Sequence, residues 1–161
     1  MFETLMVEGG YRIDYVNIQA QGRPGALAFY VRGDLDGKLP YSLRAKRHLQ
    51  AGLSVIQRSL DLQKLVAVYM DVNSSVDLAR PAYNQLKTDL RAGLFRRVFV
   101  FATSDLVDGP LVEDDMRHLY AELGGFEVLV RVQDFERVES VVSHSLWRLA
   151  LDKKVQQCHM Q

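Results

Sequence analysis

The sequence is poor in cysteine, since Cys158 is the only one among its 161 residues. A single cysteine excludes both an intramolecular disulfide and a cysteine-rich zinc site. The four histidines share no ligand spacing, such as positions i and i+4 of one helix. We therefore expect no metal and no cofactor, and a reducing, cytoplasmic setting.

Long apolar runs are also lacking. No stretch approaches the roughly 20 residues that span a bilayer, and Met1–Val7 has neither the basic start nor the apolar length of a signal peptide. We expect no membrane partner. Charge of one sign is absent as well, because 20 basic residues balance 20 acidic ones. This balance argues against an electrostatic grip of the whole domain on nucleic acid.

What the sequence does contain is a regular alternation of apolar runs and amphipathic segments. The runs predict strands buried on both faces, and they are Ala26–Val31, Leu65–Met70, Val98–Phe101 and Phe126–Val132. Between them we predict a helix at 42–60, one that opens at Arg80-Pro81, and one at Leu111–Leu123. We predict a loop at Thr103–Pro110. The pattern predicts an α/β fold: a mostly parallel central sheet of about four core strands with helices on both faces.

Two further segments flank this core. Residues 1–25 form an N-terminal arm or an added strand, because apolar and polar residues alternate after Tyr11. Residues 26–133 form the α/β domain. Residues 134–161 form a long C-terminal helix, about 134–156, and a tail. That helix has two apolar stripes, so we expect it to contact both its own sheet and a second copy of the chain. The residues predicted at this dimer interface are Val138, Val142, Trp147 and Leu151.

Three acidic residues follow predicted strands: Asp34, Asp71 and Asp105. The carboxyl ends of parallel strands are where such folds place their working groups. Three carboxylates at one edge could hold magnesium, although strand-end aspartates more often cap loops and helix starts. The sequence has no dinucleotide-binding glycine motif, no phosphate loop and no Gly-x-Ser-x-Gly elbow.

Several of these segments together resemble a known family. They are Ala28-Phe29-Tyr30-Val31-Arg32, a helix that begins at Ser42-Leu43, Val68-Tyr69-Met70-Asp71, Arg80-Pro81-Ala82-Tyr83-Asn84-Gln85-Leu86, and Gly93 before Val98–Phe101. The combination resembles the catalytic domain of serine recombinases, the resolvase/invertase family, from about Ala26 to Val132. The Arg-Pro helix is the most specific part of the resemblance. The resemblance implies a resolvase-like fold in which the long C-terminal helix is the dimerisation element.

The resemblance also implies a chemistry, in which a serine attacks a DNA phosphodiester within a cluster of arginines. Tyr30, Arg32 and Asp71 match family positions, and Arg80 matches an arginine that contacts the scissile phosphate. The serine position holds Asp34 instead. The family's Asp-Arg-Leu-x-Arg segment corresponds to Asp105-Leu106-Val107-Asp108-Gly109, in which both arginines are missing. The transition state of this reaction needs fixed positive charge, and carboxylates oppose it.

Three hypotheses follow. The first is a resolvase-like domain that no longer cuts DNA and acts as a dimerising, protein-interaction or regulatory module, which favours a non-enzyme. The second is a DNA recombinase with a displaced nucleophile, whose contacts with DNA would be Arg44, Lys46, Arg47, Arg96 and Arg97. The third is a magnesium-dependent domain that handles phosphates or nucleotides through Asp34, Asp71 and Asp105.

Overall fold

The computed structural model describes residues 10–33, 42–72, 80–107, 109–132 and the backbone of 137–140. Within these residues a single sheet has six strands: β1 (Gly10–Tyr15), β2 (Leu27–Gly33), β3 (Leu65–Val72), β4 (Arg97–Val100), β5 (Glu127–Val132) and β6 (Arg137–Ser140). Their order across the sheet is β1-β3-β2-β4-β5-β6. The four inner strands are parallel, whereas β1 and β6 pair antiparallel with β3 and β5. This confirms the mostly parallel sheet with four core strands.

Four helices connect the strands: α1 (Leu43–Ser59), α2 (Pro81–Arg91), α3 (Thr103–Leu106) and α4 (Pro110–Leu123). The Ser42 hydroxyl caps α1 by accepting a hydrogen bond from the Ala45 amide at 3.1 Å. Prolines open α2 and α4, where no backbone donor is needed. Gly124 ends α4 with a left-handed φ of 70°. Local sequence signals therefore set most helix ends.

Helices cover both faces of the sheet. On one face α1 packs Leu49 and Ile56 against Phe29 of β2. A Cβ atom on Gly52 would lie 2.1 Å from the Phe29 ring, so glycine is what lets α1 approach the sheet closely. On the other face, Tyr83 of α2 and Met116 of α4 pack against side chains of the same strands. Successive residues of the inner strands thus point alternately into two separate apolar cores, one on each face of the sheet.

Two elements differ from the sequence prediction. The segment 103–110 was expected to be a loop, but Thr103–Leu106 forms the helical turn α3. The C-terminal helix was expected from residue 134, but Arg137–Ser140 forms β6, with Arg137 opposite Val132. Pairing satisfies backbone groups that β5 would otherwise leave open at the sheet edge, and this tertiary gain overrides the helical pattern. Val138 therefore lies in a strand, and Val142, Trp147 and Leu151 lie outside the described residues.

The N-terminal segment contributes one edge of the sheet. β1 runs antiparallel to β3 from Gly10 opposite Val72 to Tyr15 opposite Ala67. A short 3₁₀ turn at Ile18–Ala20 follows it. In the part of the chain that the structure describes, no helix is both long and apolar enough to cross a bilayer.

Candidate functional site at the carboxyl edge of the sheet

The residues matched to the recombinase site lie at the carboxyl edge of the sheet. Tyr30 and Arg32 are near the end of β2, and Asp71 is near the end of β3. Arg32 and Asp71 occupy paired positions on these two strands. Arg80 immediately precedes α2, and Asp105 lies in α3. Parallel strands end at one edge, so the fold brings these side chains to the same region, as the sequence predicted.

Asp71 is fully buried and caps α2. One of its carboxylate oxygens accepts hydrogen bonds from the Tyr30 hydroxyl at 2.8 Å and from the Tyr83 amide at 2.9 Å. The other accepts from the Ala82 amide at 2.9 Å. Two of the backbone donors that a helix leaves open at its start are satisfied in this way. The Arg80 side chain, although at the N-cap position, makes no capping hydrogen bond.

Burial changes the pKa values of Asp71 and Tyr30 in this cluster. It raises the pKa of Asp71, while hydrogen bonds from Ala82, Tyr30 and Tyr83 and the charge of Arg80 act in the opposite direction. Burial also raises the pKa of Tyr30 well above its ordinary value, and the charge of Asp71 adds to that rise. The Tyr30 hydroxyl therefore keeps its proton and remains a donor to Asp71.

Arg80 is buried completely. Its Nη1 donates to the Leu106 carbonyl at 2.8 Å, which links α2 to α3. Arg32 is 8% exposed. A guanidinium that is enclosed by protein must be uncovered before it can contact a phosphate of DNA.

Asp105 belongs to a second cluster, with α1. The carboxylate is fully buried, and its Oδ1 accepts from Arg44 Nη2 at 3.0 Å. His48 Nδ1 donates to its Oδ2 at 2.5 Å. Arg44 also donates to the Ser104 hydroxyl at 2.9 Å, and the His48 ring packs on Phe101 at 4.9 Å between centroids. The carboxylate of Asp105 is therefore bonded by basic side chains of the same chain.

Sequence reasoning missed His48. The available signal was its spacing from Arg44, since residues four apart lie on the same face of a helix. Nothing in the sequence showed that this face of α1 would meet a carboxylate 57 positions further along the chain. The helical turn α3, which was expected to be part of a loop, is what turns Asp105 toward α1.

Asp71 and Asp105, two of the three aspartates considered for magnesium, are each bonded to other parts of the fold. Asp71 is bonded to α2 and Tyr30, and Asp105 is bonded to α1. Asp34 lies outside the described residues. Among the residues that are described, no three histidine, cysteine, aspartate or glutamate side chains converge on a point where a metal ion could sit.

The basic residues predicted to contact DNA lie in two separate places. Arg44, Lys46 and Arg47 are on the first turns of α1, at the carboxyl edge. Arg96 and Arg97 are at the start of β4, at the opposite, amino edge of the sheet. The fold therefore does not join them into one basic surface.

Comparisons with known proteins support the fold and nothing finer. No protein-family model matches the chain, and no curated protein matches its sequence. Among solved structures, the N-terminal catalytic domain of TP901-1 integrase is similar, with a TM-score of 0.52 and 15% sequence identity. The match covers 83% of this chain and 98% of the integrase domain. The chain therefore shares the fold of that integrase domain.

Proposed function

We propose that this chain is a resolvase-like domain that does not cleave DNA and that acts as a dimerising, protein-interaction or regulatory module. The observation that carries the proposal is that charged residues matched to the recombinase site are bonded to other groups of the same protein. Asp71 accepts three hydrogen bonds from protein groups, and Asp105 is held by Arg44 and His48. Arg80 is fully buried. These side chains hold elements of the fold together.

The sequence of the site supports the same proposal. Asp34 stands where the family carries its serine, so the expected nucleophile is missing. Neither arginine of the family's segment after the third core strand is present, and Asp108 adds negative charge there. Stabilising a transferring phosphoryl group requires fixed cations aimed at it. A carboxylate 4 Å from a phosphate would instead cost about 4 kcal/mol at an effective dielectric constant of about 20.

The alternatives drawn from the sequence receive less support. A recombinase with a displaced nucleophile would need Arg44 for DNA, but Arg44 is bonded to Asp105 and Ser104. A magnesium-dependent phosphate site would need Asp71 and Asp105, and both have other partners. Neither alternative explains why these acids are buried completely.

A cleavage assay tests the loss of catalysis. A nicked suicide duplex traps a covalent protein–DNA adduct, and we expect none on a denaturing gel. Asp34→Ser is the matched variant, because it restores the hydroxyl but not the arginines, and we expect it to stay inactive as well. An adduct formed by the unchanged chain would refute the proposal.

The oligomeric state tests the dimerising role, which rests on the apolar stripe predicted to include Trp147 and Leu151. Trp147→Glu places a charge on one stripe, so we expect it to halve the mass measured by light scattering while the circular dichroism of the core persists. Trp147→Phe keeps the apolar surface and should retain the dimer mass. If the unchanged chain is a monomer at tens of micromolar, this role is wrong.

A further inference from the structure

A cleft lies at the amino edge of the sheet, and the proposed resolvase-like function does not involve it. Three segments border it: the turn 22–25 before β2, Lys64 before β3, and residues 93–97 leading into β4. These strands are adjacent and parallel in the order β3-β2-β4. Neighbouring strands are about 4.8 Å apart, so the residues that precede them lie side by side.

The cleft has two connected parts. The smaller has a volume of about 260 Å³ and lies between the 22–25 turn and residues 93–97. The larger, of about 530 Å³, extends past Asn17 to Lys64. Arg23, Pro24 and Ala26 line both parts, so the two parts meet at this turn.

The charge of this cleft is strongly positive. Arg23, Arg96 and Arg97 line the smaller part, which has no carboxylate. The larger part adds Lys64 and one acid, Asp61, whose Oδ1 accepts a hydrogen bond from the Gln63 amide at 2.9 Å. Among the described residues, none of these four cations pairs with a carboxylate. Their positive charge is therefore available to a ligand.

Backbone carbonyls position two of the guanidinium groups. Arg97 Nη2 donates to the Gly25 carbonyl, and Arg96 Nη1 donates to the Gly125 carbonyl at 3.3 Å. An arginine has five N–H donors, so each keeps several for other acceptors. The Nε of Arg97 is buried and has no hydrogen-bond acceptor among the described residues.

Lys64 reaches the same turn. A Cβ atom added to Gly25 would lie 3.1 Å from Lys64 Nζ, so the ammonium group lies close to the backbone that Arg97 holds. Arg23 belongs to this turn and is exposed. Three cations from three different segments thus surround one short turn.

We propose that this cleft binds a phosphate group, with Arg23, Arg97 and Lys64 as its main contacts. The planar guanidinium matches two phosphate oxygens at once, and the ammonium adds a point charge. The smaller part has room for the phosphate, and the larger part for the group attached to it. That group is either a small molecule or the backbone of nucleic acid, since both present the same oxygens.

Two titrations of the full-length chain test this proposal. Calorimetry measures pyrophosphate binding, and fluorescence anisotropy measures binding of a labelled duplex with pyrophosphate as competitor. We expect saturable pyrophosphate binding that weakens with added salt. Arg23→Gln should weaken it about tenfold, the low end for a charged hydrogen bond at an exposed site. Arg97→Lys keeps the charge, loses the planar group, and should also weaken binding.

The matched control is Arg12→Gln, which makes the same charge change on the edge strand β1, opposite Met70 and away from the cleft. We expect it to leave pyrophosphate affinity unchanged. Thermal melting of each variant verifies that it is folded. If Arg23→Gln and pyrophosphate competition both reduce duplex binding, the phosphate comes from nucleic acid. If only pyrophosphate binds, it comes from a small molecule.

Three results would overturn the proposal: no saturable binding of either probe, an affinity that Arg23→Gln does not change, or an equal loss in Arg12→Gln. The last result would show attraction to net charge alone. The outcome is independent of the cleavage assay, because the cleft and the matched recombinase residues lie at opposite edges of the sheet.

Discussion

The carboxyl and amino edges of the central sheet both carry arginines, but they use them differently. At the carboxyl edge, Arg80 is enclosed by protein and Arg44 is bonded to the buried carboxylate of Asp105. At the amino edge, the hydrogen-bond acceptors of Arg96 and Arg97 among the described residues are backbone carbonyls, and Arg23 is exposed. The arginines at the carboxyl edge are held in contacts within the fold, whereas the positive charges at the amino edge remain available to a ligand.

The difference follows from the hydrogen-bond donors that surround the buried acid at each edge. The amino half of the sheet also buries an acid, Asp89 of α2, which is 6% exposed. Asp89 accepts from the hydroxyls of Tyr15 at 2.7 Å and Tyr69 at 2.6 Å, and from Gln85 at 3.0 Å. Neutral donors satisfy it, so it withdraws no cation from the cleft nearby. Asp105, in contrast, takes both its partners from basic side chains.

The largest effect should come from Asp71→Ala. The change leaves two α2 amides and the Tyr30 hydroxyl without an acceptor, and it leaves the buried Arg80 without the nearby negative charge. We expect the free energy of unfolding to fall by about 3–5 kcal/mol, the usual range for breaking a buried charged cluster. Urea denaturation measures it.

Tyr30→Phe is the control for that experiment. It removes one donor and leaves the carboxylate capping α2, so we expect a loss of only about 1 kcal/mol. A loss from Asp71→Ala as small as that of Tyr30→Phe would mean that the carboxyl edge does not depend on its buried charges. The proposed difference between the carboxyl and amino edges would then be wrong.

Asp105→Asn should have the next largest effect. The amide keeps the shape of the side chain but gives up the charge that pairs with Arg44 and His48. Because Arg44 is 47% exposed and can turn to water, we expect a loss of about 1.5–3 kcal/mol. Denaturation measures the loss, and faster amide exchange in the first turns of α1 would locate it. Ser104→Ala, which removes only a hydroxyl contact of Arg44, should change stability much less.

Local signals predicted the inner part of this fold well. Continuous apolar runs indicated the four parallel strands, and Pro81 marked the start of α2. β6 was missed because its helical pattern competes with the open edge of β5, and edge pairing is a tertiary property. α3 was missed because four residues are too few for a helical stripe to be recognised in sequence.

The position of the candidate site could be predicted from the sequence, but the contacts of its side chains could not. Counting strands placed Tyr30, Asp71 and Asp105 at one edge, where the structure has them. Their partners were not predictable, since Asp105 bonds residues 61 and 57 positions away. The cleft at the amino edge was missed for the same reason: Arg23, Lys64 and Arg97 are scattered in sequence and meet only because their strands are adjacent.

Tyr15→Phe tests the neutral network around Asp89 through its pH dependence. Burial, with the hydrogen bond and charge of Asp89, raises the pKa of Tyr15 from 10.0 to about 12. Between these values the folded chain retains a proton that the unfolded chain has lost, so the free energy of unfolding falls as pH rises from 10 to 12. We expect Tyr15→Phe to flatten this fall and to leave the part that comes from Tyr30, Tyr69 and Tyr83, whose pKa values are also raised. Equal slopes in the two proteins would contradict the assignment.

The smallest effect on stability should come from Arg23→Gln, the variant also used to test phosphate binding. Arg23 is exposed and bonds no carboxylate among the described residues, so its removal leaves no buried group unsatisfied. We expect the free energy of unfolding to change by less than about 0.5 kcal/mol. Denaturation curves of this variant and of Asp105→Asn, taken side by side, compare the two edges directly. A loss from Arg23→Gln as large as that from Asp105→Asn would make the amino edge structural too. A stability change near zero together with weaker phosphate binding would separate a charge kept for a ligand from charges that hold the fold together.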